Sequence, residues 1–123
     1  MYYKDLEVWK EAIQLVTDIY TVTKMFPQHE LYGLVSQLRR CAVSAPSNIA
    51  EGTVKHSDRE TLRFLDMALG SLAELDTQLI ISKNLGYIAN VDELDSRLAK
   101  TRALLVGLIK FYQKQLDETD LVP

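Results

Sequence analysis

The chain has 123 residues, a formal net charge of −3, and 47% hydrophobic and 25% charged residues. This is enough to bury one core without covalent staples. The acidic balance argues against nucleic-acid binding over the whole surface, which depends on neutralising phosphates. A single cysteine, Cys41, excludes an intrachain disulfide.

The opening, MYYKDLEVWKEAIQLV, lacks the unbroken apolar stretch of a signal peptide. No run approaches the roughly 20 apolar residues needed to span a bilayer. A cytoplasmic location without membrane association is the expectation.

Apolar spacing predicts a first helix from about Asp5 to Met25, ended by Phe26-Pro27, because the residue before proline is pushed out of the helical region. Its apolar residues form two stripes. Val8, Ala12, Leu15, Ile19, Val22 and Phe26 make one. Leu6, Trp9, Ile13, Val16 and Tyr20 make the other. At about 100° per residue, the stripes lie roughly 120° apart. A bundle helix needs an apolar arc only a little over about 100°. One stripe therefore suffices for the core, and the second is expected to meet another copy of the chain.

A second helix is expected from about Gln28 to Glu51, opened by Pro27 and stopped by Gly52. Its core stripe is Leu31, Val35, Leu38, Ala42, Ala45 and Ile49. Pro46 removes a backbone donor and crowds the carbonyl of Ala42, so a kink is expected there. Ser44 or Ser47 could help satisfy the freed groups. A weaker alternative breaks the helix and restarts it with Ser44 as an N-cap.

The third helix opens with the capping box Ser57-Asp58-Arg59-Glu60 and runs to about Asn84, ended by Gly86. Phe64, Leu65, Ala68, Leu72, Leu75 and Leu79 form its core stripe. The fourth opens with a similar cap, Asn90-Val91-Asp92-Glu93, and runs to about Leu116. Residues 117–123 read as a polar, frayed tail. The expected architecture is all-α: residues 1–116 form one antiparallel up-down four-helix bundle, with helix 2 kinked near Pro46.

Two polar features stand out. Gln37, Arg40, Ser44, Asn48 and Glu51 share one edge of the second helix, and Glu74 and Gln78 sit on the facing edge of the third, beside Ser71. Together they predict a polar seam, in which Arg40 can reach Glu74 or Gln78. A network that fixes helix pairing is the plainer interpretation; a ligand or partner site is the alternative. The other feature is the acid-free run 97–114. Arg97, Lys100, Lys110 and Lys114 share a broad face there and are the candidates for nucleic-acid contact. Solvated basic residues favoured by the helix dipole are the simpler reading of that run.

Catalytic patterns are missing. Ser44 and Ser47 have no histidine at a sensible local spacing, and no G-x-S-x-G elbow exists. No glutamate has a histidine three residues later, as a di-iron bundle would require. Cys41 reads as a small apolar filler. No catalytic residue, metal, cofactor or small-molecule substrate is expected.

The segments FPQHELYGLVSQLRRCAVSAPSNIAEG, RFLDMALGSLAELDTQL and LGYI resemble the small bundle proteins found with 23S rRNA intervening sequences. The resemblance spans about Leu6 to Ile88, and Ser47-Asn48-Ile49-Ala50-Glu51-Gly52 is its most specific part. Gln37, Arg40, Ser44, Glu74 and Gln78 fall where that family's pattern has them, while Ala45 replaces a more usual isoleucine. The resemblance implies an up-down bundle assembled as a ring-like homopentamer. It also implies kinship to the accessory protein of diversity-generating retroelements, which binds a reverse transcriptase and is basic enough to engage nucleic acid. A non-enzymatic oligomeric scaffold is the leading expectation. A nucleic-acid-binding accessory protein, acting on structured RNA or with a polymerase partner, is second. A hydrolase built on the serine and glutamate seam is third.

Overall fold

The computed structural model describes residues 1–89 and 91–119, and the backbone of residue 120. Four helices carry the fold: α1 Glu7–Thr23, α2 Leu34–Thr53, α3 Asp58–Asn84 and α4 Asp92–Asp120. Two 3-10 turns, Tyr3–Asp5 and Gln28–Glu30, precede α1 and α2. The helices pack as α1 on α2, α2 on α3, α3 on α4 and α4 on α1.

Cross-helix pairs show that neighbours are antiparallel. Gln37 meets Gln78, Ser44 meets Ser71, and the carbonyl of Gly52 accepts from Thr61. Numbers rise along α2 as they fall along α3. The same holds for α1 and α4, where Asp18 meets Arg97 and Glu7 meets Lys100, and Met1, ahead of α1, meets Tyr112. The result is the all-α, antiparallel four-helix bundle expected from the spacing and short connections.

The core follows the predicted stripes. Val8, Ala12, Leu15, Ile19 and Phe26 of the first stripe are buried, as are Val35, Leu38, Ala42, Ala45 and Ile49 of α2. All six predicted core positions of α3 are buried too. Leu31 departs from the pattern and is exposed. The cause is the start of α2: the chain from Pro27 to Gly33 makes a 3-10 turn and a further turn, so the helix begins at Leu34. Glu30 Oε1 accepts from the Leu34 backbone N–H at 3.3 Å and replaces a helical acceptor there. Tyr87 Oη donates to Glu30 Oε2 at 2.9 Å, tying this connection to the one between α3 and α4.

The expected stop at Gly52 is corrected. Gly52 lies inside α2, which runs on to Thr53, and it is buried. A Cβ there would come within 2.9 Å of Phe64 Cβ and 3.2 Å of the Thr61 carbonyl oxygen. Its role is close approach to α3, not termination. The helix is also unbroken at Ser44, which removes the restart alternative. Ser47 Oγ donates to the Val43 carbonyl at 2.8 Å and Asn48 Nδ2 to the Ser44 carbonyl at 2.9 Å. These acceptors are not the Ala42 carbonyl that Pro46 leaves without its usual donor.

Helix ends behave as their chemistry dictates. Ser57 Oγ accepts from the Glu60 N–H at 3.2 Å. Gly86 adopts φ +77°, and the Tyr87 and Gly86 N–H groups return to the Ser82 and Lys83 carbonyls. That is a Schellman ending, in which glycine takes the left-handed position without steric penalty. Asn90, expected to cap α4, lies outside the described residues. α4 itself continues to Asp120, four residues into the segment read as a tail.

Candidate functional site

The α2–α3 seam is the most developed polar feature of the bundle. Small residues permit it. Ala42, Ala45 and Gly52 on α2 and Ala68 on α3 are all buried and keep the backbones close. Polar edges flanking this contact then come within hydrogen-bonding range. Ser44 Oγ and Ser71 Oγ lie 2.8 Å apart, and Asn48 Nδ2 donates to Ser44 Oγ at 3.0 Å. The Cys41 thiol donates to the Ser71 carbonyl at 2.9 Å and approaches Glu74 Oε2 at 3.5 Å. Gln78 Nε2 donates to Glu74 Oε1 at 3.3 Å and to Gln37 Oε1 at 3.4 Å.

Burial, reinforced by the nearby Glu74 charge, pushes the Cys41 thiol up to about 12. It therefore stays protonated and acts as a buried donor.

Three of the predicted seam residues, Gln37, Ser44 and Gln78, make cross-helix hydrogen bonds; Glu74 joins them through Gln78 and its contact with Cys41, and Asn48 through Ser44. Two do not behave as expected. Glu51 is exposed and stands outside the cluster. Arg40 is exposed and forms no ion pair among the described residues, so its expected pairing with Glu74 is not made. Glu74 instead turns both carboxylate oxygens toward Gln78 and Cys41. The seam borders an open cleft of about 450 Å³ lined by Tyr32, Ser36, Gln37, Arg40, Glu74 and their neighbours. Tyr32 and Ser36 escaped the sequence analysis, since neither belongs to an apolar stripe or to the polar edge.

The basic face of α4 is neutralised at its N-terminal end. Arg97 Nη1 donates to Glu11 Oε2 and Arg97 Nε to Asp18 Oδ2, both at 2.8 Å. Lys100 Nζ bridges Glu11 at 3.1 Å and Glu7 at 3.4 Å. The hydrogen bond from Lys100, joined by Arg97 and opposed by burial, holds the Glu11 carboxyl below its ordinary value. Arg97 and Lys100 thus serve the α1–α4 contact, and the free basic face expected of them is corrected. The sequence run contains no acid, but the neighbouring helix supplies three. Lys110 and Lys114 are exposed. Tyr112 is buried beside them, while Phe111 is exposed.

The second stripe of α1 is only partly covered. Leu6, Trp9 and Val16 are half-buried, whereas Ile13 and Tyr20 are 40% and 41% exposed. Tyr20 receives the Arg39 guanidinium, 4.6 Å from its ring centre. A shallow groove of about 300 Å³ lies between Trp9, Ile13 and Val16 on α1 and Val43, Pro46 and Ala50 on α2. Val43 is itself 41% exposed.

Among the described residues, no helix is long and apolar enough to cross a membrane. No group of three His, Cys, Asp or Glu residues there could hold a metal ion.

Four antiparallel helices, a close α2–α3 contact and a polar cleft beside it define a small all-α bundle protein. The chain belongs to the 23S rRNA-intervening sequence protein family, whose sequence profile matches residues 4–107. The match covers α1 to α3 and more than half of α4. Among curated proteins, none matches the chain.

Proposed function

We propose that this bundle is a non-enzymatic, homo-oligomeric scaffold of the cytoplasm, with a ring of five copies as the assembly. The observation that supports it is the groove between α1 and α2, where Ile13 and Val43 stand exposed beside Trp9, Val16 and Pro46. Contiguous apolar surface of this kind marks interaction sites. A ring joins unlike faces head to tail, so the groove would be occupied by a different patch on the next copy. The polar chemistry favours a scaffold over a hydrolase. The hydroxyl of Ser44 is engaged by Ser71 and Asn48, neither of which is a base.

Light scattering coupled to size exclusion tests this reading at micromolar concentration. Wild type is expected to run at several times the mass of one chain. Ile13→Glu with Val43→Glu places charges in the groove without touching the buried core, and is expected to give folded monomers. A monomeric wild type overturns the proposal.

Nucleic-acid binding is the second reading, and exposed Lys110 and Lys114 favour it. With Arg97 and Lys100 engaged by α1, each copy offers few free charges. A ring would repeat them. Binding of structured RNA would then fall steeply with salt, and Lys110→Glu with Lys114→Glu would abolish it. Affinity unchanged by that double substitution removes this reading.

A further inference from the structure

The α2–α3 cleft is more than a device for pairing two helices. A network serving only that purpose gains by closing all of its bonds, because half-satisfied buried polar groups are costly. This one is left open at Gln78. Gln78 is buried, and its Oε1 has no hydrogen-bond partner, while its Nε2 serves both Gln37 and Glu74. The cleft beside it is lined by Arg40, exposed and with its guanidinium unpaired, and by the Glu74 carboxylate. Two opposite charges thus face one concavity without touching each other. Ser44, Ser71 and Tyr32, the last 93% exposed, belong to the same lining. The volume of about 450 Å³ lies within the range of roughly 300–1,000 Å³ usual for small-ligand sites.

We propose that the cleft binds a small zwitterion of the α-amino acid class, its carboxylate on Arg40 and its ammonium on Glu74. The guanidinium presents a planar fork that matches a carboxylate in two parallel hydrogen bonds. Glu74 Oε1 accepts one hydrogen bond from Gln78 and Oε2 stands 3.5 Å from the Cys41 thiol, so each oxygen keeps a lone pair for an ammonium. Tyr32 supplies an aromatic face for the ligand's side chain. The ligand is bound, not transformed. The site is open to water and the ligand is small, so affinity is expected at about the millimolar level.

Saturation-transfer NMR on the full chain tests this without regard to oligomer size. The probes are the proteinogenic α-amino acids, each at about ten times millimolar concentration. Their N-acetyl and carboxamide derivatives, each lacking one charge, are the matched controls. At least one free amino acid is expected to bind saturably, and each capped derivative to bind about tenfold more weakly or worse. Arg40→Gln and Glu74→Gln are each expected to weaken the free amino acid similarly, with unchanged circular dichroism and urea midpoint. Should a variant misfold, the capped derivatives on wild type still decide the matter. The proposal is overturned if no amino acid binds, if capped and free forms bind alike, or if both folded variants bind as wild type does.

Discussion

The two polar seams of this bundle solve the same problem in opposite ways. Where α1 meets α4, long charged side chains span the gap: Glu7, Glu11 and Asp18 reach Arg97 and Lys100. Where α2 meets α3, small residues bring the backbones together, and short neutral groups such as Ser44, Ser71 and Cys41 complete the contact. The first seam tolerates small displacements, because long side chains adjust and water screens their charges. The second depends on shape and tolerates little.

The largest effect expected from this contrast is at Gly52. Its added Cβ would meet Phe64 Cβ and the Thr61 carbonyl, neither of which sits at the end of a flexible side chain. Gly52→Ala should destabilise the fold by about 1–3 kcal/mol, as overpacked cores do. Gly70→Ala is the control: it is exposed in mid-helix with nothing within 4 Å of an added Cβ. It should stabilise by about 0.5–1 kcal/mol through helix propensity. Urea denaturation of both variants checks the pair. Shifts of opposite sign would confirm close approach at Gly52, and a stabilised Gly52→Ala would show that the seam can yield.

A related consequence belongs to Cys41. Its folded-state value, about 12, lies above the ordinary 9.0. A raised value contributes stability that is complete below 9.0 and is lost as pH rises from there toward 12. The urea midpoint of wild type should therefore fall with pH above 9.0 more steeply than that of Cys41→Ala. Parallel curves would place the thiol in water.

At the charged seam, Arg97→Ala should cost about 1 kcal/mol, a partly exposed pair of ion pairs being discounted for screening. Arg40→Ala, with no partner to lose, should change stability by under about 0.5 kcal/mol. A reversal of that order in urea would show that Arg40 closes on Glu74 in solution.

The sequence offers Arg40 an acidic partner and sets Arg97 in an acid-free run, whereas it is Arg97 that is paired in the fold. Periodicity within a helix told which face each residue occupies, and it placed the core stripes of α1 and α3 and the partly exposed second stripe of α1. The Ser57 cap and the Gly86 ending were equally legible, because both are local chemistry. What escaped depends on distance between helices. Gly52 reads as a stop because glycine often ends helices; its use here requires knowing that Phe64 lies opposite. Arg97 finds partners 79 and 86 residues away. Arg40 and Glu74 share a cleft yet leave each other alone, a matter of ångströms that no spacing rule contains.

The smallest effect expected is the acid response of Glu11, and it probes the first seam as Cys41 probes the second. The hydrogen bond from Lys100, with Arg97 adding to it against burial, lowers the Glu11 value in the folded state below its ordinary 4.5. A depressed carboxylate contributes stability that is complete above the unfolded value and disappears as pH falls through the folded one. The urea midpoint of wild type should therefore drop as pH falls below 4.5, and Glu11→Gln should flatten part of that decline. Salt sharpens the test, because an exposed network is screened at high ionic strength. The difference between wild type and Glu11→Gln should shrink in molar salt. A difference that survives salt unchanged would mean that α1 and α4 enclose these charges, and that the two seams are more alike than their side chains imply.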